Sequence, residues 1–424
     1  MQRVVVIGAG AAGTMAAIFA ARGGAETVLL ERTRDGGRKI LISGGGRCNV
    51  LPSRVDESRF VTDSSPNTLR KIVRSWPLAE QIRFFEDEVG LVLEEEVESA
   101  KLFPASHKAR DVRDGLLALA RRHGVAARFG CRVISMTPHA GRWRIGVEDV
   151  DTLAADTLDA DAVIVATGGL SVPNTGSDGA GLRMLEALGH TLHPTSAALT
   201  PVTAPENAFS ALSGVSLRVS LTAASPARRA THTGGFLFTH AGYSGPSVLN
   251  VSHVVVRAGA DAARGDGPAA DVRVQWTAHD DAAWQTLLQP HGARQLSTVI
   301  RQELPDRLAD VLMAQAAVEP TRKLAELTRE ERRRMIDVLV RGALPWHGDE
   351  GYKKAEVTGG GVALSEIHPV TMESRRHPGL YLCGEVLDAF GPIGGYNFLW
   401  AWATGRAAGR AAGRALAIPA AVAG

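Results

Sequence analysis

Three glycines carry the first readable chemistry. Gly8, Gly10 and Gly13 sit in the run Gly8-Ala9-Gly10-Ala11-Ala12-Gly13, directly after the apolar stretch Val4 to Ile7. Gly8 permits a tight turn, Gly10 lets the backbone approach a pyrophosphate, and Gly13 lets a helix lie close against the strands. The free N–H groups at that helix start then face the phosphates. Glu31 lies 23 residues after Gly8, at the end of a second β-rich run from Thr27 to Leu30, with Arg32 beside it as a further expected cofactor contact. Its carboxylate accepts both ribose hydroxyl hydrogens and repels a 2′-phosphate, so the pattern suits FAD or NAD better than NADP. A plain glycine turn lacks the flanking strand, helix and terminal acid that stand here.

More glycine clusters follow. Gly36-Gly37-Arg38-Lys39 precedes Ser43-Gly44-Gly45-Gly46-Arg47-Cys48-Asn49, a loop able to fold its N–H groups around an anion with Arg38, Lys39 and Arg47 beside it. Asp161 to Gly169 reads as a buried parallel strand ending in the small turn Ala166-Thr167-Gly168, and Gly379 to Glu385 as another ending in Gly384-Glu385. Both place small residues at strand C-termini, where open α/β sheets bind ligands. The last helix starts within Gly394-Gly395-Tyr396-Asn397-Phe398, so its N-terminus can stabilise negative charge on a flavin.

These motifs need a scaffold, and composition limits its kind. The chain has 424 residues, 45% hydrophobic and 22% charged, which excludes wholesale disorder and a multispan membrane protein and leaves two or three globular domains. Residues 4 to 21 carry no charge, but their glycine spacing makes them a strand, turn and helix rather than a signal or a span. The three cysteines, 48, 131 and 383, form neither a disulfide framework nor a zinc cluster, so no metal and a reducing, cytoplasmic setting are expected. A net charge of +2 and 5% aromatics give RNA binding no positive support. The run Arg332-Arg333-Arg334, beside Glu330 and Glu331, reads as a solvated face that pairs with itself.

The fold class expected is α/β: a doubly wound, Rossmann-like nucleotide domain assembled from residues 1–189 and 350–424, with the middle of the chain inserted into it. Short alternating runs such as Ser216 to Leu221 and Val272 to Trp276 mark 190–278 as an inserted β domain, barrel-like or a sandwich. Residues 279–349 turn helical, with a capping box at Thr328 to Glu331 and an apolar face of Met335, Ile336, Leu339 and Val340. The Ala-rich tail after about 406 continues as helix and then frays.

The motifs GAGAAG (8–13), GRKILISGGGRCN (37–49), KLFPASHKARDV (101–112), ATGGLSVPNTGSDG (166–179), FTHAGYSGP (238–246) and GLYLCGEVLDAFGPIGGYNFLWAWATG (379–405) span nearly the whole chain. Together they resemble the HI0933-like flavoprotein family. The resemblance implies FAD, an FAD domain with a β domain and a helical subdomain, and activities on enones, on uracil in ribosomal RNA or on aminoacetone. It makes Gly8, Gly10, Gly13 and Glu31 ligands of the ADP half, sets Arg38, Lys39 and residues 44–49 along the cofactor, and makes Val133 the backbone contact to adenine. Gly384, Glu385 and Gly394 to Asn397 match the flavin end. Tyr243, and Pro392-Ile393 before Gly394, depart from the family pattern and bear on substrate contacts.

A flavin supplies the electronic chemistry, so the protein must hold a substrate carbon near N5 and manage one proton. Cys48, His240 and Tyr396 are the candidate donors, while Cys131 and Cys383 lie in apolar strand patterns and read as core. The leading expectation is an FAD-dependent oxidoreductase that reduces an activated C=C bond, enone or uracil-like, by hydride transfer from N5. No second strand-GxGxxG-helix unit occurs in the sequence, so NADH or NADPH would bind transiently at the flavin. An amine oxidase using oxygen and an FAD-bearing RNA-binding or scaffold protein are the alternatives. The partner is thus a small-molecule substrate or a structured RNA, with no membrane involved.

Overall fold

The computed structural model describes residues 1–205 and 209–414. Contacts divide the chain into two compact units, one built from Met1–Thr195 and from Val357 on, the other from Ser196–Glu356.

The first unit is organised by a five-stranded parallel sheet. Its order is Leu380–Leu382, Ala162–Val165, β1 (Arg3–Ile7), β2 (Glu26–Glu31) and Ala126–Phe129. Val5 of β1 is opposite Val163 on one side and Val28 on the other. Val4, Val5, Val6 and Ala162 to Ile164 are fully buried, as strands covered on both faces require. Two three-stranded antiparallel sheets accompany it: one of Cys131–His139, Arg142–Asp149 and Ala155–Ala160, the other of Leu51–Pro52, Lys101–Pro104 and Leu93–Glu96.

Helix α1 (Ala11–Arg22) crosses from β1 to β2 and packs along the helix Tyr396–Arg414. That packing explains a glycine stripe. A Cβ at Gly405, Gly409 or Gly413 would run into the carbonyl oxygen of Ala12, Ala16 or Ala20 respectively, so the two helices meet backbone to backbone. The i, i+4 spacing keeps all three on one helical face. The Ala-rich tail is helical to Arg414, and the rest of it lies outside the described residues.

The second unit is built on a seven-stranded antiparallel sheet, ordered Gly342–Ala343, Asp271–Gln275, Ser216–Ala224, Arg229–Phe238, Gly242–Ser244, Val202–Thr203 and Gly348–Asp349. Along Ser216–Ala224, Val219, Leu221 and Ala223 are buried while Arg218 is exposed, the alternation of a one-sided sheet. The covered face carries Phe236, Phe238 and Trp276, and it shares one hydrophobic core with Val251 and Val255 of Pro246–Arg264 and with Leu308, Leu312, Met335 and Leu339. Residues 196–278 and the helical segment 279–349 thus lie in one compact unit and share its core. Thr328 closes the expected capping box, its Oγ1 accepting from Glu331 N at 3.1 Å and its N–H donating to the Glu331 carboxylate at 2.9 Å.

Gly409→Val tests the helix contact. Overpacking against a rigid backbone costs about 2–3 kcal/mol, so the apoprotein's melting temperature should fall by roughly 5 °C or more. An unchanged thermal melt would show that the two helices do not depend on that approach.

Candidate functional site

The site grows from the turn between β1 and α1. Gly8 has φ +103°, and its N–H donates to Leu30 O at 2.7 Å, tying the turn to β2. A side chain at Gly8 would press on Ala166 O at 2.6 Å, and one at Gly13 would overlap the Gly8 carbonyl. Protein packing thus accounts for both glycines. It does not account for Gly10, whose absent Cβ would meet nothing within 4 Å. Gly10 is also the N-cap of α1, which has no capping side chain and no acidic residue in its first turn. The space before this helix is open and faced by backbone donors, which fits a pyrophosphate.

Glu31 completes the nucleotide end. Its Oε2 accepts from Ala9 N at 2.8 Å, and its Oε1 accepts from Thr33 N and Thr33 Oγ1 at 2.7 and 2.8 Å. The carboxylate is held back against the glycine turn, where a ribose can share it. Arg32 pairs with Asp178. Val133 is buried at the start of the strand that follows Phe129. These residues fit the ADP half of FAD.

A second polar network gathers four separate stretches of chain. Gly37 N donates to Ala9 O at 2.8 Å, which seats α2 (Arg38–Ile42) beside the turn. From α2, Lys39 Nζ donates to Glu385 Oε2 at 2.7 Å and to Ser171 Oγ at 2.6 Å. Ser171 Oγ and Thr358 N donate to Glu385 Oε1 at 2.8 and 2.9 Å, while Thr358 Oγ1 accepts from Leu170 N and Ser171 N. Burial raises the Glu385 carboxyl's pKa, but the Lys39 charge and the Lys39, Ser171 and Thr358 hydrogen bonds outweigh it, so the group stays below the usual carboxylate range. Gly384 completes the junction, since a Cβ there would press on Ala12 of α1 at 2.8 Å.

The remaining expected cofactor residues shape the surrounding loops. Arg38 reaches Asp35 at 2.6 Å, and Arg47 reaches Glu96 at 3.0 Å with its guanidinium 4.2 Å from the centre of the Phe103 ring. Gly45 and Gly46 are left-handed beside Asn49, which lies against Gly44. Ala166 N donates to Ile7 O at 2.9 Å, Thr167 packs under Gly181, and Gly168 lies against Ser177. Gly394 approaches Lys101, Gly395 approaches Leu51, and the Asn397 amide clamps both the N–H and the carbonyl of Gly391 at 2.9 and 3.0 Å.

The three proton-donor candidates have different surroundings. Cys48 is fully buried in the core of the first unit, and burial pushes its thiol up to about 12 against a weaker opposing hydrogen bond from Ser43. Tyr396 is 4% exposed, and its hydroxyl donates to Arg54 O at 3.1 Å and accepts from Asp56 N at 3.3 Å. His240 is exposed and lies in the second unit, after the strand that ends at Phe238. Cys383 is fully buried and its thiol pushed far up, as its apolar strand pattern implied. Among the described residues no cluster of His, Cys, Asp or Glu could hold a metal ion.

Two outcomes follow for variants. Gly10→Val should fold like the wild type but purify without stoichiometric FAD, whereas Gly13→Val should lose the fold itself. Absorbance at the flavin bands and a thermal melt read both, and a Gly10→Val protein with full FAD would remove the pyrophosphate assignment. The second outcome concerns acid. A depressed carboxyl adds stability that is complete above its ordinary value of 4.5 and is lost as pH falls through the lower folded value. Glu385→Gln should therefore flatten the decline of denaturant stability below about pH 4.5, and an identical decline would show that Glu385 does not contribute to it.

The chain resembles known proteins along nearly all its length. The HI0933-like protein Rossmann domain family matches residues 2–411. A 3-dehydro-bile acid delta(4,6)-reductase of Clostridium scindens is 32% identical over 416 residues, covering 96% of this chain and 97% of its own. A ribosomal RNA dihydrouridine synthase of Escherichia coli is 29% identical over 409 residues, covering 94% and 95%. A solved 3-ketosteroid-delta4-(5alpha)-dehydrogenase of Rhodococcus jostii RHA1 is 17% identical, with 97% of each chain covered and a TM-score of 0.48. With its nucleotide-binding turn opened at Gly10 and a family match from residue 2 to 411, the chain belongs to the HI0933-like family and is an FAD-dependent oxidoreductase.

Proposed function

We propose that this oxidoreductase saturates an activated C=C bond of a small molecule, with NADH or NADPH as a transient reductant. The agreement between two relatives aligned over nearly their whole lengths carries the reading. One is named for reducing a 3-dehydro-bile acid, the other for making dihydrouridine, which is uridine with two hydrogens added. Addition of two hydrogens across a C=C bond is common to both.

FAD, when bound, supplies the two-electron chemistry. The chain's own contribution is charge and proton management. The Lys39 ammonium, fixed by Glu385 and Ser171, is a preorganised cation that favours negative charge developing in the site. With Cys48 and Tyr396 engaged in packing and backbone contacts, we assign proton delivery to water. Cys48 fills the core, and Tyr396 ties down the backbone at Arg54 and Asp56.

A small molecule is favoured over RNA by where the guanidinium groups of the helical segment go. Arg333 pairs with Glu330 at 2.7 Å, Arg334 donates to Ala316 O at 2.8 Å, and Arg341 reaches Asp281 and Asp337 at 2.7 and 2.6 Å. These three guanidinium groups are thus already engaged within the chain rather than held out toward a phosphate backbone.

An anaerobic stopped-flow experiment tests the reading. NADH or NADPH should bleach the flavin absorbance, and a conjugated enone should restore it faster than air does. Failure of both nicotinamides, with rapid recovery in air, would replace the reductase by an oxidase.

A further inference from the structure

Residues 171–179 run from the Lys39 network back to the acid end of β2. Ser171 accepts from Lys39 Nζ at 2.6 Å and Asn174 O accepts from Arg38 Nη1 at 3.4 Å. Gly176 lies against the ribose-side acid itself. A Cβ there would sit 3.4 Å from Thr33, 3.7 Å from Glu31 Oε1 and 3.8 Å from Arg32. Asp178 then pairs with Arg32, and its Oδ1 accepts from Ala180 N at 3.1 Å, which joins the segment to the helix Ala180–Ala187. The segment is thus fastened on both sides of Glu31.

Its backbone is bent for this path. Val172 has φ +46°, a left-handed conformation that β-branched residues rarely adopt, and Gly176 and Gly179 have φ +106° and +78°. Such residues persist where surrounding contacts hold them, and they cluster at ligand clamps. The Arg32 and Asp178 side chains are 38% and 37% exposed, so the last fastening is at the surface, where it can open.

We infer that residues 171–179 form a clasp over the Glu31 end of the FAD site, with the Arg32–Asp178 pair as its latch. Arg32, expected from the sequence to contact the cofactor, acts through Asp178 as a positioning residue. The latch sets how slowly FAD leaves. It has little effect on how fast FAD arrives, because an open clasp leaves the Gly10 gap unobstructed.

The test is the rate at which FAD leaves the holoenzyme, followed as the rise of free FAD fluorescence after rapid dilution. Arg32→Gln and Asp178→Asn should each speed release about two- to fivefold, the range of an exposed ion pair, with the association rate unchanged. High salt should speed release from the wild type and leave Asp178→Asn unaffected. The charge-exchanged double variant, Arg32→Asp with Asp178→Arg, should recover slow release. Arg32→Lys, which keeps the charge, should stay near the wild-type rate and serves if Arg32→Gln folds poorly. Wild-type release from both single variants would overturn the latch, and so would a double variant as fast as either single one.

Discussion

The close approach of α1 to the helix Tyr396–Arg414 is the constraint from which the rest of the first unit follows. Ala12, Ala16 and Ala20 on one side and Gly405, Gly409 and Gly413 on the other leave no room for a side chain between the two backbones. Because α1 begins at Gly10, the same contact fixes where the helix's free N–H groups point. Gly384 rests on Ala12, so the strand end bearing Glu385 takes its position from α1 as well. The nucleotide turn and the Lys39 network are thus two readings of one packing arrangement.

Electrostatics then divides the charges into two classes. Most ion pairs, such as Arg34 with Asp151 or Arg264 with Asp261, lie at the surface and contribute little. The Lys39–Glu385 pair is different: its side chains are only 25% and 18% exposed, and taking such charges from water is costly unless every lone pair and proton finds a partner. Ser171 and Thr358 supply those partners and are themselves fully buried or nearly so. Removing the Ser171 hydroxyl would leave the charged pair short of a bond, and removing the Thr358 hydroxyl would strand the N–H groups of Leu170 and Ser171, in a place water does not reach freely.

Local patterns were legible in the sequence, and assembled ones were not. The glycine turn, Glu31 at a strand end and the capping box at Thr328 each declare themselves within a few residues, because their chemistry is local. Ser171 and Thr358 lie in glycine-rich stretches, yet nothing there says that the Thr358 hydroxyl accepts from Ser171 N, 187 positions away, or that both residues donate to Glu385. Cys48 shows the opposite failure. A thiol in a glycine loop suggests reactivity, but reactivity depends on burial, and burial is decided by the apolar residues that close over it. Arg32 stands beside Glu31 in the sequence, but nothing local announces its partner Asp178, 146 positions away.

The pairing of α1 with a helix near the far end of the chain also sets a schedule. During synthesis, α1 leaves the ribosome long before Gly405 to Gly413 exist, and its alanine face has nothing to rest on in the meantime. Strand Leu380–Leu382, at the edge of the parallel sheet, is late for the same reason. The FAD site is therefore complete only once residues 380–413 have been made. Until then the α1 N-terminus lacks the packing that aims its free N–H groups at a phosphate.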